Sequence, residues 1–110
     1  MVYELRRYEC TPGQLKNLNE LMEVLAVPVF KKVGMTFLGA WKPEVGDDEN
    51  TLVYLLGHHD MGARERAWKA FYEDPEWVAK RAELAKKHGG PLVARTHSVF
   101  LTPTSYSPMK

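Results

Sequence analysis

The sequence predicts an α+β fold in which a four-stranded antiparallel sheet carries its helices on one face. Three observations predict it. Four runs rich in aliphatic, β-branched and aromatic residues alternate with two long stretches of helical periodicity, in the order β-α-β-β-α-β. Each change of period falls at a breaker: Thr11-Pro12-Gly13, Gly34, the polar segment Pro43 to Asn50, and Gly89-Gly90-Pro91. The middle two strands are joined by that short polar segment alone, which makes them an antiparallel hairpin.

The first strand is Val2 to Cys10, VYELRRYEC. Its period of two sets Tyr3 and Leu5 on one face, which fits a helix-covered core, and Glu4, Arg6 and Tyr8 on the other. Gln14 to Val33 is the first helix, because Leu15, Leu18, Met22, Leu25 and Val29 step by three and four. Pro28 falls inside this stripe, where it removes a backbone donor and should kink the helix or end its regular part. Lys31 and Lys32 complement the dipole at the helix end, and Gly34 is a natural residue just past it. Met35 to Lys42 and Thr51 to His59 are the second and third strands. The third is apolar on both sides, with Leu52, Tyr54 and Leu56 on one and Val53 and Leu55 on the other, which implies burial of both.

Asp60 to His88 reads as two helices joined at Asp74-Pro75. Ala63, Ala67, Trp68, Phe71 and Tyr72 share the stripe of the first. Proline disfavours the α conformation in the residue before it but suits the first turn of a new helix, so Asp74 is the expected N-cap of the second. Val78, Ala82 and Ala85 form its expected apolar side. Leu92 to Leu101 is the fourth strand, and residues 102–110, TPTSYSPMK, should form an extended C-terminal arm. The order is the split β-α-β, or ferredoxin-like, arrangement. Helices on one side leave the other sheet face open, and these strands are too apolar to face water alone.

A chain of 110 residues fits one domain, 1–110, large enough for a core without staples. With 15 basic and 14 acidic residues there is no electrostatic reason to expect nucleic acid or a membrane surface. The single cysteine, Cys10, excludes an intramolecular disulfide and suits the reducing cytoplasm. No stretch approaches the roughly 18 apolar residues of a membrane helix, and no signal or transit pattern opens the chain.

Several motifs together resemble the NIPSNAP family, of the dimeric α/β-barrel class. They are YELRRY at Tyr3–Tyr8 followed by Pro12-Gly13, VGM at Val33–Met35, Gly39-Ala40-Trp41, AFYEDPEW at Ala70–Trp77 and LTPTSYSP at Leu101–Pro108. The resemblance spans nearly the whole chain. It implies a ferredoxin-like protomer whose open sheet face pairs with a second copy into a barrel-like homodimer, from which higher oligomers can be built. The wider superfamily includes cofactor-independent monooxygenases, haem-degrading enzymes and small isomerase-like proteins. The family itself implies fold rather than a particular chemistry.

The residues that bear on chemistry are few. Glu4, Arg6 and Tyr8 succeed one another on one strand face at about 7 Å intervals. If that face lines the barrel interior, they offer a carboxylate, a fixed cation and a phenol to a small anionic or carbonyl-bearing ligand; otherwise they form an internal ion pair. On the resemblance alone, Trp41 is a wall of the same pocket. His58-His59-Asp60 invites a metal reading, but neighbouring strand residues point to opposite faces and Asp60 is better explained as a helix N-cap, so no metal is expected. Cys10 has no CxxC partner, and no GxSxG, GxxxxGK[ST] or GxGxxG is present. The sequence implies no cofactor. Two functions of different class follow: a small-molecule binder or cofactor-independent oxygenase or isomerase with an internal pocket, and a non-catalytic assembly or adaptor protein with a filled interior.

Overall fold

The computed structural model describes residues 1–46 and 49–110. Asp47 and Asp48, inside the turn expected at Pro43 to Asn50, lie outside the described residues. The strands are β1 (Val2–Cys10), β2 (Thr36–Trp41), β3 (Thr51–His58) and β4 (Val93–Leu101). They form one sheet in the order β2-β3-β1-β4, with every neighbouring pair antiparallel. This is the ferredoxin-like arrangement that the alternation of periods predicts, with the helices on one face.

The first helical stretch is three consecutive pieces: α1 (Leu15–Leu21), a π-helical turn (Met22–Ala26) and α2 (Val27–Lys32). Pro28 supplies the reason. It has no N–H to donate four residues back, and just before it the ladder is widened: the Val27 N–H donates to the Met22 carbonyl, five residues away. The proline therefore interrupts the regular helix while the apolar stripe runs on, and Leu18, Leu25, Val29 and Phe30 are each 1% exposed. Gly34 follows with φ +88, a left-handed conformation that leads directly into β2.

α3 (Met61–Glu73) and α4 (Pro75–His88) are separate helices, with the break where the proline predicts it. Asp60 caps α3 by accepting from the Ala63 N–H at 2.7 Å, and Asp74 caps α4 by accepting from the Trp77 N–H at 3.0 Å. Asp74 also meets Lys32 at 2.6 Å, which ties the helix junction to the end of α2. Trp68 and Phe71 of α3 are buried beside Phe30, with ring centroids 5.6 and 5.1 Å from it.

Two expectations are reversed. Glu4, Arg6 and Tyr8 were expected opposite the helices, with Tyr3 and Leu5 beneath them. The register puts them with the helices: Glu4 pairs with Leu56, Arg6 with Tyr54 and Tyr8 with Leu52, and these β3 residues belong to the core beneath α2 and α3. Tyr3 and Leu5 face the open side. Alternation tells which residues share a face but not which face the helices take, and here buried hydrogen bonds make the polar side the covered one.

The second reversal concerns α4. Val78 is 53% exposed, and no residue of α4 is buried. Ala82 and Ala85 do point inward, with Trp77, Arg81 and Leu84, but what they meet is a cavity. Beyond β4, residues 102–110 leave the sheet, and the Ser107 N–H closes a turn onto the Thr104 carbonyl at 3.1 Å.

Candidate functional site

The site is built on β1, where the covered face carries Glu4, Arg6 and Tyr8 in a row. Glu4 is fully buried and its carboxylate is saturated. One oxygen, Oε1, accepts from Trp68 Nε1 at 3.0 Å, from His58 Nε2 at 3.0 Å and from Arg64 Nε at 3.3 Å. The other, Oε2, accepts from Arg6 Nη1 at 2.9 Å and from Arg64 Nη2 at 3.2 Å. Burial by itself pushes the Glu4 carboxyl up; the hydrogen bonds from Arg64, Trp68, Arg6 and His58 outweigh it and hold the group down at about 2. An ionised carboxylate accepts only, so His58 carries its proton on Nε2.

Arg6 is the hinge between this buried anion and the cavity. Its Nη1 bonds Glu4 and, at 3.1 Å, Ser98 Oγ; its Nε donates to Tyr54 Oη at 2.7 Å; its Nη2 donates to Tyr8 Oη at 3.3 Å. The guanidinium carbon also lies 4.4 Å from the centroid of the Trp68 ring. Burial alone disfavours the cation, but the oxygens of Tyr54, Tyr8 and Glu4 more than offset this, and Arg6 is held charged. Two guanidinium groups, Arg6 and Arg64, thus share one carboxylate, leaving the cluster one net positive charge.

Arg6 and Tyr8 form part of the wall of a cavity of about 520 Å³ between the sheet and the helices. Phe30, Trp68, Phe71, Tyr72 and Trp77 supply an aromatic wall, the π-turn residues Met22 and Ala26 another, and α4 with the segment 90–93 closes the far side. Among the described residues, two arginines, Arg6 and Arg81, line it, and no carboxylate, imidazole or amide side chain does. A volume of this size, mostly apolar with a few convergent donors, suits a molecule of two or three rings.

Of the residues expected in a pocket, the structure brings Glu4, Arg6 and Tyr8 together and leaves Trp41 out. Trp41 pairs with Val53, which pairs with Arg7, so it lies on the opposite face, 55% exposed. Its indole folds back over Gly39, where an added Cβ would come within 2.8 Å of the ring, so a glycine two residues earlier makes that position possible. Tyr54, His58, Arg64, Trp68 and Ser98 complete the site and were not singled out for it. Tyr54 could have been found from the strand pairing once the register was set; Arg64, one charged residue among several on an amphipathic helix, gave no signal. His58 and His97 lie on opposite faces: His58 pairs with Val2 on the covered side, and His97 pairs with Arg7 and bonds Glu9 on the open side. Among the described residues no group of three or more His, Cys, Asp or Glu could hold a metal ion, and no helix is long and apolar enough to cross a membrane.

Fold and site define a ferredoxin-like domain with an aromatic cavity between sheet and helices and a buried ion cluster at its edge. The NIPSNAP family model matches residues 3–108, and the chain belongs to that family. A NIPSNAP family protein from Agrobacterium tumefaciens superposes with a TM-score of 0.84 at 19% identity, covering 99% of this chain and 98% of that one. A NIPSNAP-like domain protein from Burkholderia xenovorans gives 0.79 at 26% identity, over 97% of this chain and 88% of the other. More distant is a monooxygenase from Streptomyces coelicolor in complex with the ligand nanaomycin D, with a TM-score of 0.56 at 20% identity over 96% and 89% of the two chains. No curated protein sequence matches the chain.

Proposed function

We propose that this protein binds a flat, anionic or carbonyl-bearing small molecule in the cavity under its helices, as a cofactor-independent enzyme of the oxygenase or isomerase type. It works as a cytoplasmic homodimer joined through the open sheet face. The observation that carries the reading is the cavity itself: about 520 Å³ of aromatic-walled space with Arg6 and Tyr8 at its edge. Rings would stack on Trp68 and its neighbours, and Arg6 would neutralise charge on the ligand's oxygen. A fixed cation placed before the reaction stabilises negative charge that develops on an enolate or related oxyanion. The buried Glu4 prevents Arg6 from swinging away, so the donor geometry is set in advance. The likeness of the fold to a monooxygenase in complex with nanaomycin D supports the same reading. The alternative, an assembly or adaptor protein, gives no reason for an open aromatic volume beneath the helices.

Mass spectrometry of small molecules released from the natively purified protein tests this directly. An aromatic acid, phenol or quinone retained by the wild type and lost from Arg6→Met is the expected result. A protein that retains nothing and binds no aromatic anion in calorimetry would remove the proposal.

A further inference from the structure

The hydroxyl chain at the cavity edge has only one consistent direction. Tyr54 is 0% exposed, and its Oη accepts a hydrogen from Arg6 Nε at 2.7 Å. Burial pushes this phenol well above its ordinary range, with Tyr8 adding to the rise and Arg6 opposing it, so Tyr54 keeps its proton. A buried hydroxyl must donate that proton, and the oxygen within reach is Tyr8 Oη at 2.7 Å. Tyr8 Oη therefore accepts from Tyr54 and, at 3.3 Å, from Arg6 Nη2, which occupies both of its lone pairs. Its own hydrogen points away from both, on the side of the cavity that Tyr8 lines. Arg6 has five N–H groups; the bonds to Tyr54, Glu4, Ser98 and Tyr8 use four, leaving one on Nη2.

From this we infer that the Arg6–Tyr54–Tyr8 chain turns only donors towards the cavity, so that the site favours ligands presenting an already ionised or carbonyl oxygen over the corresponding alcohols. The inference rests on the proposed small-molecule reading and adds the selection rule and Tyr54 as a positioning residue. Glu4, the one carboxylate at that edge, is sealed behind Arg6 and cannot accept from a ligand. A ligand hydroxyl placed between Arg6 and Tyr8 would meet two donors, and its own hydrogen would have to turn to a neutral hydroxyl of the lining, that of Thr96, which pairs with Tyr8 across the sheet, or that of Tyr72. A carboxylate or enolate would receive two charge-assisted bonds, each stronger than a neutral one. The lining also holds no carboxylate or imidazole to take up a proton, so ionisation of the ligand must come before entry.

Isothermal titration with 2-naphthoate and 2-naphthylmethanol, which share the aromatic body, tests the rule. The expected result is that naphthoate binds at least tenfold more tightly. Tyr8→Phe should weaken naphthoate about tenfold and leave the alcohol unchanged. Tyr54→Phe, which touches no ligand, should weaken naphthoate several-fold, and this loss should vanish in the Tyr8→Phe background because Tyr54 acts through Tyr8. A merely structural role would lower both probes together and add to the Tyr8 effect, and that result would overturn the assignment. Equal affinity for the two probes leaves the cavity a binding site but overturns the selection rule. Binding of neither removes the small-molecule reading as well. If Tyr54→Phe does not fold, the probe preference and Tyr8→Phe decide the question alone.

Discussion

On its helix-covered face, β1 presents Glu4, Arg6 and Tyr8; on its open face the same strand presents Tyr3 and Leu5. Around Tyr3 and Leu5 the open-face rows are apolar across the sheet. Leu5 pairs with Leu55 and Val99, Tyr3 with Gly57 and Leu101, and Trp41 pairs with Val53 at the β2 edge. Val99 and Leu101 are 52% and 43% exposed there. The covered face thus holds a buried charged cluster, while the open face is apolar at the Tyr3–Leu5 end and turns polar at the other, where Arg7 and Glu9 stand beside His97 and Arg95. The difference teaches that each face answers to its neighbour. The covered face tolerates a carboxylate because five donors from Arg6, His58, Arg64 and Trp68 satisfy it. The apolar part of the open face, around Leu5, is what the proposed dimer would cover with a second sheet.

The sharpest way to break this comparison is to remove the covered charge. Glu4→Gln leaves the buried Arg6 and the half-buried Arg64 without their anion and sets an amide N–H₂ against donors. The expected loss is about 3–5 kcal/mol, measured by chemical denaturation. Leu5→Gln, one position along but on the open face, should change the stability of a separated protomer far less. The same carboxyl gives a pH signature. Its folded value is held at about 2 against an ordinary 4.5, so its contribution is complete above 4.5 and is lost as pH falls from there towards 2. That amounts to about 3 kcal/mol across the window. Acid denaturation of the wild type should be steep below pH 4.5, and that steepness should be missing from Glu4→Gln. A variant as stable as the wild type, with an unchanged acid limb, would show that the cluster is not what holds the covered face.

The open face predicts the next largest effect. Leu5→Lys puts a charge at the centre of the row Leu55, Leu5 and Val99, where a partner sheet would have to bury it. Sedimentation should then fall from the mass of a homodimer to that of one 12.6 kDa chain. Pairing of this kind should bury more than roughly 2,000 Å², in the range of permanent interfaces. Wild-type protein that sediments as a stable single chain at micromolar concentration would end the dimer proposal and leave the apolar face unexplained.

The element order, the Pro28 irregularity and the Asp74 break were all legible in the sequence, because each is set by local chemistry: period, a missing donor, a capping carboxylate. Which way β1 faces was not. Its two alternating sets were plain, but the choice between them depended on Arg64 and Trp68 arriving from α3 to satisfy Glu4, and sequence spacing carries no trace of that meeting. The same gap hid Tyr54, which looked like one more core aromatic on an apolar strand. Trp41 was misplaced for a related reason. A large ring near a strand end suits a pocket wall equally well on either face, and the register with Val53 decides it.

The smallest effect concerns how the hollow part of the covered face is closed. α3 buries Trp68 and Phe71, whereas α4 buries no residue and stands over the cavity. Its attachment is therefore concentrated at its first turn, where Asp74 accepts from the Trp77 N–H at 3.0 Å and meets Lys32 at 2.6 Å. Asp74→Ala removes both contacts at once. The cap and its pairing with an exposed lysine are modest, so the melting temperature should fall by only about 5 °C. The consequence should be local. Amide exchange should quicken along α4, from Trp77 to Ala85, while α3 and the strands keep their protection, because α4 buries no side chain fully and rests on the partly buried Trp77 and Leu84 once its cap is gone. Exchange that rises equally in α3 and α4 would mean the two helices open as one unit, and the contrast between a filled and a hollow part of the covered face would lose its energetic meaning.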